Sequence, residues 1–271
     1  MTTHEPRIAL LIDADNSPAG MIDEILDELA KEGVINIRRA YGNWKSLHLK
    51  AWEAVLHDFA IQPIQQFAYT KGKNATDAAM IIDAMDLLYT KQLDGFGIVS
   101  SDSDFTPLVM RIRANGLKVF GFGEQKTPLP FVNACSKFLY LETLRRPEEA
   151  SAPILVDLGA TRTPAPPAEV VATSEPPATR VDANTLRGDT RLVNLLRKSV
   201  EAAADEEGWA GLGAVGQHIS KQASFDARNY GYAKLNGLFQ SIGLFDLPIG
   251  LFDLRTHGKG LQVRDKRVAR Q

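Results

Sequence analysis

The chain has 271 residues, 44% hydrophobic and 24% charged, with a formal net charge of −2, the make-up of an ordinary chain with packed cores. No apolar run approaches the roughly 20 residues of a membrane span, and no basic stretch precedes the first apolar run, so neither a spanning helix nor a secretion signal is expected. The single cysteine, Cys135, excludes an intrachain disulfide or a cysteine-based zinc site and leaves a reducing cytoplasm as the expected home.

Length alone predicts roughly two domains. Residues 1–146 carry 16 basic against 18 acidic side chains, residues 147–188 carry 3 against 6, and residues 189–271 carry 12 against 9. A basic C-terminal part suits contact with phosphate. Residues 147–188 hold half of the 14 prolines and no aromatic residue, so a flexible linker is expected there.

In residues 1–146, short apolar strands alternate with amphipathic helices. The strands are RIALLID (7–13), VINIRRAY, IQPIQQF, GFGIVSS, KVFGFG and KFLYLE; the intervening helices fall near 20–32, 46–58, 75–91, 105–115 and 129–135. That alternation predicts a doubly wound α/β domain with a mainly parallel sheet and helices on both faces. Residues 189–271 read instead as helices over about 189–206, 212–222 and 230–241. Two strands follow, GLFDLRT and GLQVRD, joined by His257-Gly258-Lys259-Gly260. Three helices and a hairpin predict a small winged helix-turn-helix domain.

In an open parallel sheet, ligands bind beyond the carboxyl ends of the strands, where the order reverses. The acidic residues gather there. Strand 1 runs into Asp13-Ala14-Asp15-Asn16, strand 4 into Ser100-Ser101-Asp102-Ser103-Asp104, and Asp77 opens the third helix. Each carboxylate alone reads as a cap or turn former, Asp104 before the helix at Phe105 and Asp77 in a first turn. Asp13, Asp77, Asp102 and Asp104 together, with Asn16 beside them, predict a shared site. Close carboxylates repel unless a cation lies between them, and oxygen ligands suit Mg²⁺ or Mn²⁺. Such a site hydrolyses phosphate esters without a covalent nucleophile. Asp15 is expected only to shape its loop, and Asp83, six residues beyond Asp77, to face the sheet.

Lys71 and Lys73, just before Asp77, are candidates to neutralise the carboxylates or touch a substrate phosphate. Tyr41, Asn43, Trp44 and Lys45 follow strand 2 at the same edge, and an aromatic, an amide and a base suit a single nucleic-acid strand. Trp44 is equally suited to packing at a helix start.

The stretches IDADN, KGKNATDAAMIIDAMDLLY and SSDSDFTPLVMRIRANGLKVFGFG, in that order over residues 6–142, resemble the NYN domain, a Rossmann-like branch of the PIN-like nucleases. The resemblance implies a metal-dependent ribonuclease with Asp13, Asn16, Asp77, Asp102 and Asp104 at its site; the family often has Gly where Ser101 and Ser103 stand here. Residues 224–235, SFDARNYGYAKL, with the apolar pattern and wing that follow, resemble an OST-type helix-turn-helix, or LOTUS domain. That resemblance implies RNA binding and, in some members, a protein partner. Arg228, Tyr230, Lys234, Lys259 and Arg264 are the candidate RNA contacts, against a core role for Tyr230 and Tyr232.

Two other functions remain at this stage. The Asp-x-Asp of IDADN also occurs in phosphatases of the haloacid dehalogenase type, although Asn16 departs from their pattern. A non-catalytic RNA-binding adaptor would use both domains without cutting.

Overall fold

The computed structural model of the chain describes residues 5–67, 75–90, 92–144, 180–243, 251–257 and 260–267. In the N-terminal part, strands and helices alternate in the order β1 (Arg7–Asp13), α1 (Ile22–Ala30), β2 (Val34–Gly42), α2 (Lys50–Leu56), β3 (Gln62–Gln65) and α3 (Ala75–Thr90). They continue as β4 (Gly95–Val99), α4 (Thr106–Ala114), β5 (Lys118–Gly123), α5 (Leu129–Ala134) and β6 (Lys137–Tyr140). The sheet order is β3-β2-β1-β4-β5-β6, with every neighbouring pair parallel. This is the doubly wound α/β arrangement, and its order reverses between β1 and β4.

A central parallel strand is covered on both faces, which is why β1 is apolar without alternation. Its side chains still point alternately to the two faces. Ile8, Leu10 and Ile12 pack with Ile25 and Leu29 of α1 and Trp52 of α2. Ala9 and Leu11 pack with Met80 and Leu87 of α3 and Val109 of α4. Asp13 continues the second series, so the strand delivers its carboxylate to the α3–α4 face at the sheet's carboxyl edge. The buried residues Asp77, Met80, Ala84 and Leu87 follow helical spacing along α3. Asp77 is therefore the polar end of the stripe that packs α3 on the sheet.

The C-terminal part contains α6 (Ala183–Gly188), α7 (Thr190–Ala203), β7 (Ala210–Gly211), α8 (Leu212–Gln222), α9 (Leu235–Gly243), β8 (Phe252–His257) and β9 (Gly260–Asp265). The three strands form an antiparallel sheet in the order β7-β9-β8, a wing beside the helices. Two features differ from the sequence expectation. The third helix does not begin near residue 230: Ala227–Tyr230 is a 3-10 turn closed by Gly231 at φ +79, a left-handed conformation that favours glycine. Helix α6 falls within 147–188, and its Leu186 is buried in the C-terminal core.

The 3-10 turn meets the N-terminal part directly. The Arg228 guanidinium reaches Glu28 of α1 at 2.7 Å. The Asn229 side chain donates to the Phe138 carbonyl at 2.9 Å and accepts from the Tyr140 backbone N–H at 3.2 Å, so a single amide occupies the outer edge of β6. Among the described residues, no helix is long and apolar enough to cross a membrane.

Candidate functional site

The site is built on β1 and β4, the strands flanking the point where the sheet order reverses. Asp13 ends β1 and is fully buried. Its carboxylate accepts hydrogen bonds from the Asn16 side-chain amide, at 3.0 Å to Oδ2 and 3.3 Å to Oδ1, and from the Ser100 hydroxyl at 3.0 Å. Ser100 lies just beyond β4, is itself buried, and its Oγ accepts the Asp102 backbone N–H at 3.1 Å. One hydroxyl thus couples the two strand ends.

Asp102 caps the 3-10 turn Ser103–Phe105, its Oδ1 accepting the Asp104 N–H at 2.8 Å. The cap expected of Asp104 thus falls to Asp102, two residues earlier, because the chain enters a 3-10 turn before the helix proper. Asp15 projects away from Asp13: its Oδ2 accepts from the Thr76 hydroxyl at 2.9 Å and its Oδ1 from the Asn43 N–H at 3.2 Å. It therefore clips the start of α3 to the loop after β2, a loop-shaping role.

The electrostatics show which carboxylates sense one another. Burial pushes the Asp13 carboxyl up to about 6; Asn16 and Ser100 oppose this, while Asp77 and Asp15 add to it. Asp77 is raised as well, first by burial and then by Asp102, Asp104 and Asp15. Asp77 thus stands between Asp13 on one side and Asp102 and Asp104 on the other. They do not close to ligand spacing: among the described residues, no group of three or more His, Cys, Asp or Glu side chains is placed to hold a metal ion. Asp13 and Asp102 are each turned toward local donors.

Comparison with known proteins now decides the family. The NYN domain profile matches residues 7–142. The chain belongs to the NYN domain family. The OST-HTH/LOTUS domain profile matches residues 187–247. A curated relative, the uncharacterized protein MJ0482 of Methanocaldococcus jannaschii, is 31% identical over 125 residues, which are 45% of this chain and 49% of that protein. The chain thus spans about half the length of the relative it matches. Among solved structures, the chain is similar to the protein of unknown function VPA0982 from Vibrio parahaemolyticus, with 19% identity, TM-score 0.43 and coverage of 52% of this chain and 95% of that one. It is also similar to an uncharacterized protein from locus NE0665 of Nitrosomonas europaea, with 23% identity, TM-score 0.23 and coverage of 40% and 91%.

Within the NYN domain, the other predicted contacts fall as follows. Asn43 is half-buried, and its Oδ1 accepts from the Gln65 amide at 3.1 Å. The Trp44 indole N–H donates to the Ile64 carbonyl at 3.0 Å and its ring packs on the core, the structural role foreseen as the alternative for this residue. Lys71 and Lys73 lie outside the described residues. Tyr41 is not at the surface: it is fully buried, and its hydroxyl donates to Asp83, which also accepts from Arg39 at 2.6 Å. Asp83 thus reaches β2 from the side of the buried stripe of α3, the sheet-facing role expected of it.

In the OST-HTH domain, Arg228 and Tyr230 lie in the seam with the NYN domain. The Arg228 guanidinium contacts Asp226 and Glu28, and Tyr230 stacks on Phe225 at 5.9 Å between ring centroids. Both are engaged by the protein itself, so neither is a free nucleic-acid contact in this arrangement. Lys234 is exposed, just before α9, and Arg264 stands on the wing. Sequence reasoning passed over Ser100, whose signal was a hydroxyl ending an otherwise apolar strand, GFGIV.

Proposed function

We propose that the chain is a metal-dependent ribonuclease whose NYN domain cuts and whose OST-HTH domain contributes RNA binding. The observation that carries this reading is the placement of Asp13, buried at the end of β1, and Asp77, buried in the first turn of α3, at the sheet edge where such folds place ligands; burial and neighbouring carboxylates push both carboxyls up. Excess negative charge on oxygen donors fits a hard divalent ion such as Mg²⁺ or Mn²⁺. Asp13, Asp77, Asp102 and Asp104 would hold it. When bound, the ion would activate water and neutralise phosphodiester oxygens.

The chain's own residues would do the rest. Asn16 and Ser100 orient the Asp13 carboxylate, and the Ser100 hydroxyl also accepts the Asp102 backbone N–H, tying that residue to the same group. Asn43, and Lys73 from outside the described residues, are the proposed substrate contacts. The engagement of Asp13 by Asn16 and Ser100, and of Asp102 by the Asp104 N–H, supports a second reading, an adaptor that binds RNA without cutting. A phosphatase is supported less, because Asp15, its required general acid, is tied to Thr76 and Asn43.

The deciding experiment incubates purified protein with labelled single-stranded and structured RNA and DNA in Mg²⁺, Mn²⁺ or chelator. Metal-dependent cleavage of RNA that is lost in Asp102→Asn and in Asp13→Asn supports the nuclease. Cleavage at parental rates in both variants removes the activity from this pocket, and binding without cleavage supports the adaptor.

A further inference from the structure

The wing carries a cluster that the acidic site does not use. Asp253↔Arg264 and Arg255↔Gln262 are directly opposed pairs of β8 and β9, so all four side chains share one face of the hairpin. The opposite face supplies the buried Phe252 and Val263 to the core. Trp209, just before β7, lies against the outer face: the Arg255 guanidinium carbon is 4.0 Å from its ring centroid and that of Arg264 is 4.5 Å. Arg255 is also held by a 2.8 Å hydrogen bond from Nε to Oε1 of the Gln262 side chain. The ion pairs available to these bases are long: Arg264 to Asp253 at 3.4 Å, Lys266 to Asp253 at 3.6 Å and Arg255 to Glu207 at 3.9 Å. Such partly exposed pairs contribute little and exchange readily for another anion.

An indole on the outward face of a sheet is not there to fill a core. Each of the two guanidiniums against it is a preorganised planar group with N–H donors at its rim. A guanidinium face stacks on nucleobases, and its edge matches phosphate oxygens. We propose that Trp209, Arg255 and Arg264 form a stacking platform for an unpaired base and its phosphate in single-stranded RNA. This rests on the reading of the chain as an RNA-acting protein. A duplex hides the faces of its bases, so the platform discriminates single strands from double strands by geometry.

The test measures binding of a short labelled single-stranded RNA and of the same sequence as a duplex to the full chain, in chelator so that nothing is cut. Arg255→Lys keeps the charge and removes the plane. The expected result is roughly tenfold weaker binding of the single strand, little change for the duplex, and an unchanged salt dependence. Trp209→Ala should reproduce that pattern; if it fails to fold, Arg255→Lys carries the test alone. Parental affinity in Arg255→Lys, or an equal loss on both RNAs, overturns the platform and leaves the cluster as a clamp holding β7 to the hairpin. If the parent chain binds neither RNA, the RNA reading falls together with the platform. If the parent binds and the variants match it, only the platform falls.

Discussion

Arg228 and Glu28, 200 residues apart in the chain, form an ion pair of 2.7 Å that joins the OST-HTH domain to the NYN domain. Burial alone would raise the Glu28 carboxyl, but hydrogen bonds from Arg228 and Lys31 overcome it and hold the group at about 2. Arg228 in turn grips Asp226 with two further nitrogens, at 3.0 and 2.9 Å. The guanidinium is a bridge whose geometry a lysine cannot copy.

Arg228→Ala is therefore expected to part the two domains. Small-angle scattering should show a larger radius of gyration, and thermal melting should resolve into two transitions. The loss should be on the order of 1–3 kcal/mol, because Glu28 is left buried with a weaker partner. Because the Glu28 pKa is depressed below its ordinary 4.5, its contribution is present above that value and fades as pH falls toward 2. Acid should open the parent chain in the same way; an unchanged scattering profile in both cases would refute the bridge.

Asp13 has the opposite sign. Its carboxyl is raised from 3.8 to about 6, so its contribution to stability is full below about 4 and is lost as pH rises through 6. For a group this buried the difference amounts to roughly 3 kcal/mol. In chelator, Asp13→Asn should flatten the fall in melting temperature of the parent between pH 4 and 7. Added Mn²⁺ should stabilise the parent increasingly over the same range, since the ion competes with the proton. A parent whose melting temperature is flat with pH and indifferent to Mn²⁺ would contradict both statements.

Asp83 fastens α3 to β2 through Arg39 and the buried Tyr41 hydroxyl. Asp83→Ala leaves a guanidinium and a phenol without their acceptor and should cost about 2–3 kcal/mol in urea denaturation. Tyr41→Phe, which removes only the hydroxyl, should cost about 1 kcal/mol. Equal stability of the parent and Asp83→Ala would show that the tie is incidental.

Gly123 ends β5 where a Cβ would lie 2.7 Å from the Ser100 carbonyl oxygen and 2.7 Å from the Thr127 hydroxyl. A backbone atom cannot yield as a side chain can. Gly123→Ala should therefore displace Ser100, loosen its hydrogen bond to Asp13, and destabilise the fold by roughly 1–3 kcal/mol. The amide resonances of Asp13 and Asp102 should shift more than those of the OST-HTH domain; a shift confined to β5 would disprove the coupling.

The strand and helix pattern was legible because burial imposes periodicity. RIALLID is apolar on both faces because a central strand is covered on both, and α3 shows Met80, Ala84 and Leu87 at helical intervals. The acidic edge was legible for a related reason: loops at the carboxyl ends of parallel strands converge. Pairings between distant residues were not. Nothing local in SFDARNYGY distinguishes an arginine for phosphate from one destined for Glu28, and a tyrosine in the seam has the same sequence signature as one on the surface. The two-residue β7 was invisible because it is a strand only by virtue of its neighbour β9.

The amide of Asn229 on β6 has one last consequence. A parallel sheet that ends in an uncovered strand is a template for other chains, and fragments carrying such a margin tend to polymerise. Cutting the chain after Leu144 would strip that margin bare. The N-terminal fragment should then self-associate on concentration, with the second domain's turn acting as a built-in stopper against fibre growth.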